Sequence, residues 1–240
     1  MARDFYSIKA KADKTAEVWV YEQIGEDFWG DGVSAKNFTK ELKALDATAI
    51  DLHINSPGGA VFDGHAIYNA LKAHPATVTT YIDGLAASIA SVIALAGDKV
   101  VMADNALFMI HEPWGMAMGT ADDMRKTADV LDKTRDTIVG VYADKTGSSD
   151  DDLRAAMSAE TWYSASEALA AGFVDEVGAS LQVAACADWK ALPFMNAPES
   201  LFAEAEAPVA EPQDGPADDV TEESDSEEVV ETLYHPAPII

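Results

Sequence analysis

Residues 49–97, AIDLHINSPGGAVFDGHAIYNALKAHPATVTTYIDGLAASIASVIALAG, decide the fold class. Ala49–Asn55 alternates apolar and polar residues like a strand and runs into the turn Ser56-Pro57-Gly58-Gly59. Val61–Ala73 follows with helical spacing that places Ile67, Tyr68 and Leu71 on one face. Thr77–Ile82 is a β-branched strand that Gly84 is expected to end. From Ser88 to Ala96 the residues are small and apolar, which predicts a helix buried almost all round. Strand, helix, strand, helix in this order is the pattern of an α/β fold.

The pattern continues on both sides. Upstream, FYSIKAK (5–11) and AEVWVYEQIG (16–25) read as a hairpin or a pair of edge strands, and Ser34 caps a helix that carries Phe38, Leu42 and Leu45. Downstream, 99–103 and 106–110 read as strands. A long helix spans 120–145, with Met124, Ala128, Leu131, Ile138 and Tyr142 near helical spacing, and Gly147 ends it. Shorter helices are expected at 150–157 and 166–171, and a last strand at 173–177. Periodicity alone leaves open a doubly wound sheet or a spiral of strand-strand-helix units.

Charge is unevenly distributed. The formal net charge of −26 divides into −13 on residues 1–196 and −13 on residues 197–240, which hold 13 Asp/Glu and no Lys or Arg. Both halves would repel nucleic acid and anionic membrane, so neither is expected as a partner. Six of the ten prolines lie between Pro198 and Pro238. This composition is too charged to bury a core, so an acidic, Pro-rich, disordered tail is expected over 191–240, after an N-terminal strand segment at 1–16 and a domain at 17–190. The single cysteine, Cys186, excludes an intramolecular disulfide and a Cys-rich zinc site. The first residues lack the apolar core of a secretory signal, and no apolar run approaches the ~20 residues that span a bilayer. A cytoplasmic protein is the expectation. No Gly-rich loop followed by Lys-Ser/Thr is present, so no ATP hydrolysis is expected in this chain.

Three segments carry chemistry together: Asn55-Ser56-Pro57-Gly58-Gly59, Gly84-Leu85-Ala86-Ala87-Ser88 and Met109-Ile110-His111-Glu112-Pro113. Paired glycines let backbone N–H groups face a ligand. A serine where a strand becomes a helix is a candidate nucleophile, and a histidine at a strand end is a candidate base. Singly, a helix-capping serine, a structural histidine and a plain turn are the commoner explanations; the case rests on joint occurrence.

INSPGG, then GLAAS with its serine 29 residues past the second glycine, then MIHEP with its histidine 23 residues further on, resembles the Clp protease proteolytic-subunit family. The resemblance extends through Trp162–Asp175 and covers about residues 17–178. It implies Ser88 as nucleophile and His111 as general base of a serine endopeptidase. It further implies an oxyanion hole from the N–H groups of Gly59 and Ile89, and a spiral of ββα units shared with crotonases, the helix 120–145 being the handle through which rings pair. Where the family has an aspartate as the orienting acid, this chain has Glu160; Asp83, Asp104 and Asp175 rank below it. Gly58 and Trp114 are candidate substrate-binding residues, although core packing is the more ordinary role for Trp114. His65 follows the glycine turn on a helix, while His53 and His74 read as structural.

The family's N-terminal segment that docks a hexameric ATPase has no match in residues 1–16. With the acidic tail and the ETWYSA wording, this is similar to the phage and prophage head-maturation branch, whose partners are capsid and scaffold proteins and for which a Clp-type ATPase is not obligatory. The resemblance implies rings of six or seven subunits, stacked in pairs in some members, and no metal or cofactor. Two other readings stand beside it: a catalytically inactive ring-forming scaffold or adaptor, and a crotonase-type acyl-CoA enzyme.

Overall fold

Strand formation follows the alternation seen in the sequence. In the computed structural model, which describes residues 6–25, 32–181 and 194–198, β2 (Thr15–Val20) buries Ala16, Val18 and Val20. Its neighbours β3 (Ala49–Ser56) and β4 (Thr77–Ala87) bury Ile50, Leu52 and Ile54, and Val78, Thr80 and Ile82. β1 (Tyr6–Ala10) lies antiparallel on β2, so residues 6–10 belong to the same sheet as the domain that follows. β2, β3, β4, β5 (Lys99–Ala103) and β8 (Glu176–Gly178) are parallel neighbours in that order. Parallel pairing needs crossovers, and these are α1 (Ala35–Ala44), α2 (Val61–Lys72) and α3 (Ile89–Ala94). All six residues of α3 are buried, as its composition implies.

β4 does not stop at Gly84. Thr79–Ile82 pairs with β5, and Leu85–Ala87 pairs in parallel with β6 (Leu107–Ile110). On the other side the register of β3 against β4 shifts between Ile54 and Ser56. Asp83 and Gly84 therefore sit where one strand leaves one neighbour for another, and the glycine marks a change of partner. Antiparallel to β6 runs β7 (Thr161–Ser164), which places Trp162 opposite Met109 and Tyr163 opposite Phe108.

α2 meets α3 closely enough that a Cβ on Gly64 would lie 2.2 Å from the Ile89 side chain, so no larger residue fits there. The long helix α4 (Ala121–Thr146) starts with a capping box, Thr120 with Asp123, and ends at Gly147 in the left-handed conformation. Only its second half is packed, through Thr134, Ile138, Val139 and Tyr142. Met124 and Ala128, which share the helical spacing, are exposed. α5 (Asp150–Ser158) and α6 (Ala165–Ala170) complete the unit. The closing strand begins at Glu176; Phe173 and Val174 are buried but lie outside it. Among the described residues, no helix is long and apolar enough to cross a membrane. Of the tail expected over 191–240, residues 191–193 and 199–240 lie outside the described residues, as does Cys186.

Candidate active site

Ser88 stands between β4 and α3 with φ 55° and ψ −131°, a conformation costly for a residue with a Cβ. Its surroundings hold it there. The Ser88 N–H donates to the Met109 carbonyl at 3.0 Å, and its carbonyl accepts from the Ser91 N–H at 3.0 Å and the Ser91 hydroxyl at 2.5 Å. The Ser91 Oγ lies 2.7 Å from the hydroxyl of fully buried Tyr142 on α4. Burial pushes that phenol far up from its ordinary pKa, so it stays protonated. The sharp strand-to-helix turn aims the serine hydroxyl out of the sheet end.

His111 follows β6, and its Nε2 lies 2.7 Å from Ser88 Oγ. Burial disfavours the imidazolium and lowers the His111 pKa from its ordinary value, while the nearby Glu160 carboxylate pulls the other way. The net direction is down, which leaves the ring neutral and able to accept a proton at neutral pH.

The glycine turn approaches from the β3 side. Gly58 has φ +93°, and a Cβ there would lie 2.6 Å from the Ser88 Cβ and 2.7 Å from the Ala87 carbonyl oxygen. Only glycine permits this approach. The Gly58 N–H donates to Ser56 Oγ, and the Ile24 pairing uses the Gly58 carbonyl and the Ala60 N–H. Gly59 N–H has no acceptor among the described residues, and Ile89, as the first residue of α3, has an N–H with no partner inside its helix. Two backbone donors thus remain beside the serine.

A cleft of about 270 Å³ opens here, lined by Gln23, Pro57, Gly58, Gly59, Ala60, Val61, Ser88, His111, Pro113, Trp114 and Phe194. Trp114 is 61% exposed and borders the cleft, so it is not core packing. On the far side of His111 a second hollow is bounded by Glu112, Met157, Ser158, Glu160 and Met195.

Glu160 is 6% exposed and has φ 48°, just beyond the end of α5 where a glycine is the usual residue. Its carboxylate accepts three N–H bonds, from Trp162 Nε1 at 3.2 Å, Met195 N at 2.9 Å and Asn196 N at 2.7 Å. It lies beside His111, but its hydrogen bonds go to these donors; among the described residues the imidazole's one hydrogen bond is to Ser88. Sequence reasoning missed Phe194, Met195 and Asn196, because backbone donors carry no signature and the segment reads as the start of the tail. The other carboxylates are engaged elsewhere: Asp83 with Tyr21 and His53, Asp175 with Lys145 and Val100 N, Asp104 with Ser180. His53 stacks between Trp19 and Tyr81, and His74 bonds Ala76 N and the Leu45 carbonyl. His65 faces Thr137 on α4, away from the cleft. Among the described residues, no group of three or more His, Cys, Asp or Glu is placed to hold a metal ion.

A family model described as Clp protease matches residues 2–180. The chain belongs to the Clp protease family. Among curated relatives, the ATP-dependent Clp protease proteolytic subunit of Streptococcus gordonii is 39% identical over 144 residues, covering 58% of this chain and 74% of that protein. The same-named subunit of Streptococcus pneumoniae strain TIGR4 is 40% identical over an equal span. Among solved structures, a point mutant of ClpP1 from Listeria monocytogenes superposes with a TM-score of 0.60 at 27% identity, covering 68% of this chain and 91% of that one. Membership makes the chain a serine peptidase, and the acyl-CoA and inactive-scaffold readings are not favoured.

Proposed function

We propose that this Clp-family peptidase cleaves peptide bonds with Ser88 as nucleophile, His111 as general base and the N–H groups of Gly59 and Ile89 as oxyanion donors. The observation that carries this reading is the 2.7 Å contact between His111 Nε2 and a serine hydroxyl held at positive φ beside two available backbone donors. Ser88 Oγ attacks the carbonyl carbon while His111 Nε2 takes its proton, and the carbonyl oxygen moves onto the two N–H groups. His111 then returns the proton to the leaving amine. Water, deprotonated by the same nitrogen, releases the acyl group. Glu160 stabilises the imidazolium from the side, in the position of the family's aspartate. Gly58 and Trp114 contact the bound peptide.

The finer reading is a phage or prophage maturation protease acting on capsid or scaffold proteins, as a ring of six or seven subunits, in the host cytoplasm or prohead. Its support is the 13 acidic residues of 197–240 and the glutamate at 160. Ring assembly is supported by the apolar side chains left uncovered on α2 and α4, Phe62 at 71% and Val130 at 51% exposed.

Labelling with a fluorophosphonate probe tests the chemistry. Wild-type protein is expected to label, and Ser88→Ala to lose labelling together with peptide turnover, by about 10⁶-fold in kcat. Persistence of either in Ser88→Ala removes the assignment. In co-expression with a phage scaffold protein, truncated scaffold should accumulate with wild type and not with Ser88→Ala; intact scaffold in both removes the finer reading.

A further inference from the structure

We propose that the segment Phe194–Asn196 is a strap that completes this active site: it pins the Glu160 side chain beside His111 and walls the substrate cleft with Phe194. The inference rests on the assignment of Ser88 and His111 above and goes beyond it, because the strap lies past the stretch that matches the family, which ends at residue 180.

Three contacts carry it. First, the backbone N–H groups of Met195 and Asn196 donate to the two different oxygens of Glu160, Oε2 and Oε1, at 2.9 and 2.7 Å. A buried carboxylate needs such donors, and without the strap the indole N–H of Trp162 is the only one of the three left. Second, the strap is tied to the same turn by Asn196 Nδ2, which donates to the Ala159 carbonyl at 3.0 Å. Third, the Phe194 ring packs edge-on against both Trp162 (centroids 5.3 Å apart) and the His111 imidazole (6.0 Å). One aromatic side chain thus joins the base to the strand that follows the acid.

The strap builds the site and does not plug it. The cleft beside Ser88 stays open with Phe194 as one wall, and the contact between Ser88 and His111 is intact beneath it. The strap's donors also fit the glutamate at position 160, where the resemblance implies an aspartate. A glutamate carries one more methylene than aspartate, hence one more torsion to fix, and two backbone N–H groups fix the carboxylate at both oxygens. Among the described residues, the carboxylates bordering the two hollows that flank His111 are Glu112 and Glu160. Glu112 faces Arg135 at 3.8 Å, so Glu160 is the carboxylate left to act on the ring.

The test uses full-length protein, four strap variants and Ser88→Ala. Asn196→Pro deletes the donated N–H, whereas Asn196→Ala keeps it and loses only the side-chain amide. Asn196→Pro is expected to label with fluorophosphonate at least about 10-fold more slowly than Asn196→Ala, the scale of one lost positioning contact near the chemistry. Its acid limb should move to lower pH, because the Glu160 charge no longer supports the imidazolium. Phe194→Ala should raise KM for peptides with leucine before the scissile bond about 5- to 10-fold more than for peptides with alanine there, and Phe194→Leu should recover most of it. This second pair stands if Asn196→Pro fails to fold. Equal or faster labelling of Asn196→Pro, or an unselective KM change in Phe194→Ala, overturns the strap. Labelling that survives Ser88→Ala would instead overturn the assignment on which it rests.

Discussion

The two sides of His111 are built differently. On the Ser88 side the groups that hold the serine belong to the sheet and the helices packed on it. The serine N–H joins β6, its carbonyl is held by Ser91, Ser91 is held by Tyr142 of α4, and Gly58 closes from β3. On the Glu160 side the carboxylate sits on a turn after α5, and two of its three hydrogen bonds come from residues 35 and 36 positions downstream. The proposed nucleophile is placed by the fold, and the proposed acid is held by a segment past the stretch that matches the family.

If this contrast holds, damage to the Ser88 side should be severe and damage to the Glu160 side graded. The largest effect is expected from Gly58→Ala. The added methyl would meet the Ser88 Cβ at 2.6 Å, and the shift this forces would displace the proposed oxyanion donors nearby. Labelling should fall about 10²- to 10³-fold, the cost of losing an oxyanion contact. A normally reactive Gly58→Ala would mean the two segments are not as tightly joined as the backbone indicates.

Glu160→Gln comes next, with a fall in kcat of about 10²-fold, short of the ~10⁴ seen when a directly bonded triad acid is neutralised. The pH profile gives the sign. Burial lowers the His111 pKa and Glu160 opposes it, so loss of the charge lets it fall further. The acid limb of kcat/KM should therefore lie below that of an ordinary histidine in wild type and move lower still in the variant, while the plateau drops. A limb that moves upward, or an unchanged plateau, would detach Glu160 from the base.

Tyr142→Phe should have the smallest effect. It removes the hydroxyl that meets Ser91 and leaves the packing. A stability loss of about 1–2 kcal/mol by thermal melting is expected for one buried hydrogen bond, with labelling slowed less than about 5-fold. A much larger loss of labelling at unchanged stability would show that α4 controls the serine more strongly than the contact suggests.

How much of the molecule is legible in the sequence divides along the same line. Gly58, Gly59, Ser88 and His111 stand out through the joint occurrence and spacing of three short patterns, and a parallel sheet brings strand ends together. Gly84 misleads, because a glycine in an apolar run signals a stop, while here β4 continues and changes neighbour. The first half of α4 has apolar residues at helical spacing but no described residue of this chain buries them, since periodicity reports a face and not what covers it. The partners of Glu160 are invisible for a simpler reason. Their contribution is main-chain N–H, which every residue but proline possesses.

The backbone at residue 88 also acts as a filter on descent. At φ 55° and ψ −131° a side chain branched at Cβ would crowd its own main chain, whereas serine, cysteine, alanine and glycine have no such branch. Threonine keeps the hydroxyl and is the mildest chemical change available, yet it is the one this turn refuses. Lineages built on this elbow can exchange oxygen for sulfur or fall silent, but they cannot drift to a threonine nucleophile without rebuilding the turn that aims it.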